Sequence, residues 1–379
     1  MLENVSLQFL LFCMLYGAGA AVAAVLCIYL LLRKGNAFVA DITPPMRLRR
    51  WAAAFFAVAF LAHIWWFFFA YFSFDIHSAA YDVVYVLDCV ALLTTVSGTL
   101  FAMLQDRRRP LWPVIVAMIP IVIIGGLQAV WPSIDFMPLS FVYISSFYVL
   151  FTIYMVKAVR QYGRWLRDNY ADLEHKEVWL SHTLLIVLLL FFVMYGFTDD
   201  IVKSSIIHFF SFALYSLLLW RVETLPQLEV VANQEEDSLP ESEGLPRLAL
   251  AGEQVLGQAK QRSLSQSNIG QLLAERCVDT QLYLQHDLTV VQLAAAAGTN
   301  RSYLSQYFSS QGTTYNAYIN NLRINHFISL YHEAVASQSP FTVHQLANDS
   351  GYRSYSTFSL AFKQRMGQSV TEWMRDTAV

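Results

Sequence analysis

Residues 288–312, LTVVQLAAAAGTNRSYLSQYFSSQG, and residues 341–367, FTVHQLANDSGYRSYSTFSLAFKQRMG, are two versions of one pattern. Each begins Thr-Val-x-Gln-Leu-Ala, reaches a glycine, and continues through a serine-flanked stretch to a Phe and a closing glycine. Apolar residues recur at helical spacing on both sides of the inner glycine. The repeat therefore predicts two copies of a unit made of two short helices.

The residues at the ends of these helices predict how each unit turns. Thr289 and Thr342 suit helix N-caps, because a threonine hydroxyl accepts a hydrogen bond from a backbone N–H of the first turn. Gly298 and Gly351 suit the positive φ angle that ends a helix before a tight turn. Two helices joined in this way form a helix-turn-helix unit, whose second helix enters the major groove of DNA.

The pattern extends beyond these four positions. It includes Leu293-Ala294, Gly298, Leu304, Phe308, Gly312, Tyr318, Arg323, Leu346-Ala347, Gly351-Tyr352, Phe358, Phe362-Lys363, Gly367 and the closing SVTEWMR. In these residues, the C-terminal quarter of the chain resembles the DNA-binding domain of AraC-type transcription regulators, in which a long helix joins two helix-turn-helix units. The resemblance implies double-stranded DNA and RNA polymerase as partners and a homodimer on DNA.

Polar side chains in the N-terminal halves of the two recognition helices are the candidates for base contacts. Arg and Gln make paired hydrogen bonds to purine edges, whereas hydroxyl groups discriminate less between bases. Arg353 and Lys363 are predicted phosphate anchors, and the apolar residues of these helices are predicted core. The predicted DNA-contacting residues are Asn300, Arg301, Ser302, Ser305, Gln306, Arg353, Ser354, Tyr355, Ser356, Ser359 and Lys363.

The charge of the predicted domain is balanced. Residues 270–379 contain seven Lys and Arg residues and seven Asp and Glu residues. Gln306, Ser309 and Leu360 stand where the AraC family often has a base. Because phosphate contacts supply most non-specific affinity for DNA, one copy is expected to bind weakly, and a dimer would raise the effective concentration. The alternative to DNA binding is that the fold is retained for contact with a protein. Arg323 is predicted to make a structural or interdomain ion pair rather than a base contact.

The first 221 residues have a different character. The whole chain is 56% hydrophobic and 14% charged, far from the roughly one half and one quarter of soluble domains. About 20 helical residues cross a bilayer. The sequence therefore predicts an all-α fold with a seven-helix transmembrane bundle before the DNA-binding domain. The predicted spans lie near 7–32, 51–72, 81–104, 111–131, 137–157, 180–197 and 201–220.

The distribution of Lys and Arg predicts the orientation of these spans. The loops at 33–50, 105–110 and 157–179 carry thirteen basic residues, whereas the alternate loops carry none. The positive-inside rule then places the N-terminus outside and the C-terminal domain in the cytoplasm. The first span lacks the basic start of a cleavable signal peptide and is expected to be retained. The alternative, in which one helix is re-entrant or buried, would move the C-terminal domain to the other side.

Three regions follow from this pattern: a transmembrane sensor module at 1–221, a flexible acidic linker at 222–265, and the DNA-binding domain at 266–379. The linker is rich in Glu, Gln, Ser, Pro and Gly. Such a coil transmits no torque, so coupling would act through proximity unless 245–265 forms a helix. The expected location is the bacterial inner (cytoplasmic) membrane.

Three ionisable residues fall at a similar depth in the predicted spans. His63, Asp88 and His208 lie roughly 10 to 14 Å below the outer surface, at about 1.5 Å per helical residue. A functional interpretation is a sensor for a small molecule or a proton, since imidazole beside carboxylate titrates near neutrality. The favoured alternative is interhelical hydrogen bonding that holds the bundle together.

The sequence contains none of the common catalytic or metal-binding motifs. No nucleophile elbow, P-loop, paired catalytic carboxylates or HExxH is present, and the four cysteines lack metal-ligand spacing. We therefore expect no enzyme activity, cofactor or metal. The predicted function is a membrane-bound one-component transcription regulator controlled by a signal in the membrane module. The alternative is a membrane receptor or transporter whose helical tail binds a protein partner.

Overall fold

A computed structural model describes residues 7–33, 36, 38, 43–71, 79–131, 133–174, 176–195, 201–228 and 268–377. Within these ranges the chain is helical and forms two compact units. The first unit comprises Met1–Gly163 and His175–Val230, and the second comprises Arg164–Glu174 and Val231–Val379. Most of the predicted linker, from 229 to 265, lies outside the described residues.

The first unit contains seven helices at the places that the hydropathy pattern predicts. α1 packs on α2 and α7, α3 packs on α2 and α4, and α6 packs on α7. Many large apolar side chains on these helices face outward, as lipid contact requires. The helices are α1 (Leu7–Leu32), α2 (Met46–Tyr71), α3 (Ala79–Met103), α4 (Trp112–Val130), α5 (Met137–Asn169), α6 (Trp179–Tyr195) and α7 (Ile201–Thr224).

Among the residues that the structure describes, five helical segments are long and apolar enough to cross a membrane, and they belong to the first five helices. They are Leu7–Leu32, Met46–Phe68, Ala80–Met103, Trp112–Val130 and Pro138–Asn169. α6 is described over Trp179–Tyr195, 17 residues, and residues 196–200, which follow it, lie outside the described part of the chain. The number seven for the spans therefore stays a prediction.

Two predicted boundaries differ from the structure. Leu225 and Leu228, within the predicted linker, are buried in the first unit. The Gln105 side chain holds this stretch by donating to Pro226 O and accepting from Leu228 N, both at 2.9 Å. The second difference is that 164–174, predicted to belong to the membrane module, is part of the second unit. The polar composition of these two segments did not indicate either placement, because the contacts are made by a few apolar side chains and by the backbone.

The second unit contains the two repeated helix pairs. α8, described over 268–273, continues as the π-helical turn Ala274–Val278, and a 3-10 turn follows at Leu282–Leu284. The long helix α11 links the two pairs. The remaining helices are α9 (Val290–Ala296), α10 (Arg301–Ser310), α11 (Tyr315–Ala336), α12 (Val343–Asp349), α13 (Tyr355–Met366) and α14 (Val370–Thr377).

The helix caps and glycine turns of the repeat form as predicted. The Thr289 hydroxyl accepts from Gln292 N, and the Gln292 side chain returns a bond to Thr289 N, which completes a capping box. The Thr342 hydroxyl caps α12 by accepting from Gln345 N at 3.1 Å. Gly298 and Gly351 have φ angles of +65° and +87°. The predicted caps and turn glycines are confirmed.

A buried guanidinium joins the two helix pairs. Arg323, at the middle of α11, is 1% exposed and donates from Nε to Tyr283 O and from Nη2 to Gln285 O, both at 2.7 Å. Its Cζ lies 5.5 Å from the centroid of the Tyr352 ring, and burial lowers its pKa. Each pair has its own apolar core, and Arg323 lies where the two cores meet. Its role is structural, as predicted, but its hydrogen bonds go to backbone carbonyls.

Gly351 should be more sensitive to substitution than the other turn glycines. A Cβ there would lie 2.8 Å from Leu284 Cα and O and 3.1 Å from Arg323 Nε, in addition to the positive φ. A Cβ at Gly312, with φ +65°, would meet nothing within 4 Å. We expect Gly351→Ala to destabilise α11–α13 by roughly 1–3 kcal/mol more than Gly312→Ala, measured by hydrogen exchange of the full chain. Equal losses would contradict this account of the junction.

Candidate functional site

The first recognition helix, α10, separates a core face from a polar face. Leu304 and Phe308 are buried in the core of the first helix pair, as predicted. Helical geometry places the predicted base-contacting residues on the opposite side. Of these, Ser302, Ser305 and Gln306 are exposed and Arg301 is half-buried. The helix therefore presents a continuous polar surface with one guanidinium at its N-terminus.

The second recognition helix, α13, repeats this division. Phe358 and Phe362 are buried in the core of the second pair. On the polar side, Ser356 and Lys363 are exposed and Ser359 is half-buried.

The half-buried Tyr355 of α13 stacks on His344 of α12, with ring centroids 4.4 Å apart. This stack fixes the Tyr355 ring at the start of the recognition helix. The pairing was absent from the sequence prediction, because His344 lies in the other helix of the unit.

Two predicted base-contacting residues have a structural role in the protein. The Asn300 side chain caps α10 by accepting from Tyr303 N at 2.9 Å. Ser354 caps α13 by accepting from Thr357 N at 3.3 Å. A cap uses the Oδ1 atom of Asn300, while the amide nitrogen of that side chain can still donate to DNA. Both N-termini also carry the partial positive charge of a helix end, which favours an approaching phosphate.

The predicted phosphate anchor Arg353 lies just before α13. Its Nη1 is 3.2 Å from Asp287 Oδ2, and both side chains are substantially exposed at 62% and 43%. An exposed pair of this kind contributes little to stability, so a phosphate can replace the carboxylate. Arg365 is engaged differently, because it donates to Asn321 O and, at 2.6 Å, to Asn325 Oδ1. Arg365 therefore helps to attach α13 to α11.

A separate cavity of about 430 Å³ lies within the first unit. It has contributions from α2, α3, α5, α6 and α7, and its wall is mostly apolar. Its volume falls in the range of small-molecule pockets, roughly 300–1,000 Å³. The three ionisable residues that the sequence grouped together, His63, Asp88 and His208, all line this cavity.

Specific contacts hold these polar residues in place. The rings of His63 and His208 lie 5.5 Å apart, and Tyr16 of α1 packs against both, at 4.9 and 5.1 Å. The Asp88 carboxylate accepts from Trp66 Nε1 at 2.7 Å, which connects α3 to α2. The group thus connects helices of the first unit. Tyr16 was missed because it was ranked with the apolar residues of α1.

The geometry of the second unit defines a class of protein: a domain with two capped recognition helices joined by a long helix is a double helix-turn-helix DNA-binding domain. Comparison of the chain with known protein families agrees with this class. A family model described as "Helix-turn-helix domain" matches residues 293–376. This match supports an AraC-type helix-turn-helix domain in the C-terminal part of the chain. No curated protein and no solved structure matches the chain.

Asn300 can be tested for its two roles separately. Asn300→Asp keeps an N-cap of similar strength but places a carboxylate toward DNA, whereas Asn300→Ala removes the cap at a cost of about 1 kcal/mol. We expect Asn300→Asp to leave hydrogen exchange of α10 near wild type and to lower DNA affinity more than Asn300→Ala does. If both variants weaken DNA binding only in proportion to their loss of stability, Asn300 is a cap alone.

Proposed function

We propose that the protein is a membrane-bound one-component transcription regulator that binds specific double-stranded DNA through α10 and α13. The observation that carries this proposal is the pair of capped recognition helices, each with a polar face opposite a buried apolar face. The family comparison supports DNA binding by an AraC-type domain. On DNA we propose a homodimer, because one neutral copy lacks the cationic surface of a tight binder. RNA polymerase is the further partner that the family resemblance implies.

The residues that we propose for DNA contact are those predicted from the sequence, with roles refined by their surroundings. Arg301 and Gln306 are proposed to read bases, and Arg353 and Lys363 to bind phosphates. Ser302, Ser305, Ser356 and Ser359 line the same polar faces. Asn300, Ser354 and Tyr355 are proposed to contact DNA from the N-terminal ends of the two helices.

We also propose seven membrane spans in the inner membrane, with the N-terminus outside and the second unit in the cytoplasm. Support comes from the end of the first unit where the basic loops meet. Arg47 Nη2 donates to Arg109 O at 3.2 Å, and Arg221 Nη2 donates to Glu177 O at 2.6 Å. The first bond connects the loops at 33–50 and 105–110, and the second connects the loop at 157–179 to the end of α7. Clustering of the positive loops at one end is the arrangement that the positive-inside rule requires.

DNA binding should depend on specific cations at the two recognition helices. For the full chain in detergent, we expect Arg301→Ala and Arg353→Ala each to weaken binding, by about tenfold, to a duplex that the wild type selects from a random library. Arg353→Ala should also reduce the slope of log affinity against log salt by about one. The control is Arg375→Ala, which removes an exposed cation from α14. A chain that selects no duplex would favour the alternative, a tail that binds a protein partner.

The membrane cavity is proposed as the place where a small molecule or a proton acts as the signal. A matched pair of variants tests this on one helix: Leu92→Trp fills the cavity, whereas Leu87→Trp adds the same bulk at an exposed position of α3. We expect only Leu92→Trp, together with Asp88→Asn and His63→Gln, to change a reporter gene's response to pH and medium at equal protein level. An unchanged response in all three would leave the cluster with a purely structural role.

A further inference from the structure

The short segment 164–174 is bound to the DNA-binding domain. Ala171 N donates to Leu288 O at 3.2 Å, and Tyr170 and Thr289 form an isolated antiparallel bridge. The Asn316 amide of α11 donates to Tyr170 O at 3.2 Å and to Ala171 O at 2.6 Å. Ala171 is part of the apolar core of the first helix pair. Three hydrogen bonds to backbone carbonyls, one of them within the bridge, therefore fix the segment in one register.

Two carboxylates of this segment interact with the first turns of the recognition helices. Asp168, at the end of α5, carries a charge opposite to those of its neighbour Arg167, of Arg301 at the first position of α10 and of Arg164. Glu174 Oε2 accepts from Thr357 Oγ1 of α13 at 3.1 Å.

A third carboxylate of the segment points inward. Asp172 is buried, and its charge is opposite to that of the Arg323 guanidinium between the two helix pairs. The Asp172 carboxylate also accepts from Glu174 N at 3.0 Å. The segment therefore contacts the N-terminal end of α13 and the core of the first helix pair, and its other carboxylates oppose the charges of Arg301 and Arg323.

The N-terminal ends of recognition helices are the parts that enter the groove. A carboxylate there takes the place that a DNA phosphate would occupy, because both are anions that favour a helix N-terminus and a guanidinium. We infer that 164–174 is an internal acidic ligand of the DNA-binding domain that competes with DNA for the N-terminal end of α13, where Glu174 accepts from Thr357. The inference rests on the proposed DNA-binding function. Because 164–169 is the last part of α5, a change in α5 would be transmitted to this contact without passing through 229–267.

A reversible cross-link tests the contact and its consequence together. Facing residues of an antiparallel pair have Cα atoms about 4.5–5.5 Å apart, which falls within the range that a disulfide spans. In the full chain, the Tyr170→Cys, Thr289→Cys double variant should form this bond on mild oxidation. We expect the oxidised protein to bind the library-selected duplex about tenfold more weakly than the reduced protein. The two single variants, treated with the same oxidant, should show no such change.

A second measurement avoids the bridge residues. Glu174→Ala removes the acceptor for Thr357, and its control, Glu333→Ala, removes one exposed carboxylate from α11 of the same unit. We expect Glu174→Ala to tighten DNA binding about five- to tenfold and Glu333→Ala to change it less than about twofold.

The outcomes distinguish failure of the competition by 164–174 from failure of the proposed DNA-binding function. If no disulfide forms, or if the locked and reduced proteins bind DNA equally, the competition is overturned. The competition is also overturned if Glu174→Ala behaves like its control or weakens binding. If the reduced protein, the wild type and Glu174→Ala all fail to bind any duplex, the proposed DNA-binding function itself fails.

Discussion

The arrangement of the DNA-binding domain depends on one buried guanidinium. Arg323 satisfies two backbone carbonyls from the loop before α9 and packs on the ring of Tyr352, which follows the turn glycine of the second pair. A buried cation is costly unless it is hydrogen-bonded and compensated, so its position is fixed by these partners. Because the carbonyls belong to one helix pair and Tyr352 to the other, Arg323 sets the spacing of the two recognition helices. That spacing determines which bases the two helices can reach at once.

Few basic side chains of this domain can contribute to its affinity for DNA. The domain has no net charge from Lys, Arg, Asp and Glu, and several of its cations already have partners. Among them, Arg353 faces Asp287, and Arg365 is bonded to α11. Weak electrostatic attraction lowers non-specific binding as well as total affinity. A domain of this kind gains occupancy from pairing of copies, and restriction to a membrane surface would raise their local concentration.

Local signals were sufficient to predict much of this structure. The caps at Thr289 and Thr342, the glycine turns and the core faces of α10 and α13 follow from spacings of one to four residues. The predicted positions of the seven helices in the first unit follow from hydropathy alone. The depth of His63, Asp88 and His208 along their helices was enough to group three residues that line one cavity.

The features that could not be predicted from the sequence are contacts between residues far apart in the chain. The acceptors of Arg323 lie about 40 residues earlier in the chain, and the contact of Ala171 with Leu288 spans more than a hundred. No periodicity reports such pairings. The polar stretch after the apolar part of α5 indicated a solvated basic loop, yet Tyr162 and Leu166 continue the buried face of α5, and Tyr170 and Ala171 are buried after it. Asn300 and Ser354 were assigned to DNA only, because a polar residue at a helix start suits both a cap and a base contact.

We propose that a chain anchored in the membrane reads chromosomal DNA. To test this, living cells are cross-linked, the membrane fraction is isolated, the full-length protein is recovered and the DNA attached to it is sequenced. We expect a small set of enriched sites that share a bipartite motif and that disappear when Arg301 and Arg353 are both replaced by alanine. Recovery of no site above the level of that double variant, with the wild-type protein present in the membrane fraction, would contradict it.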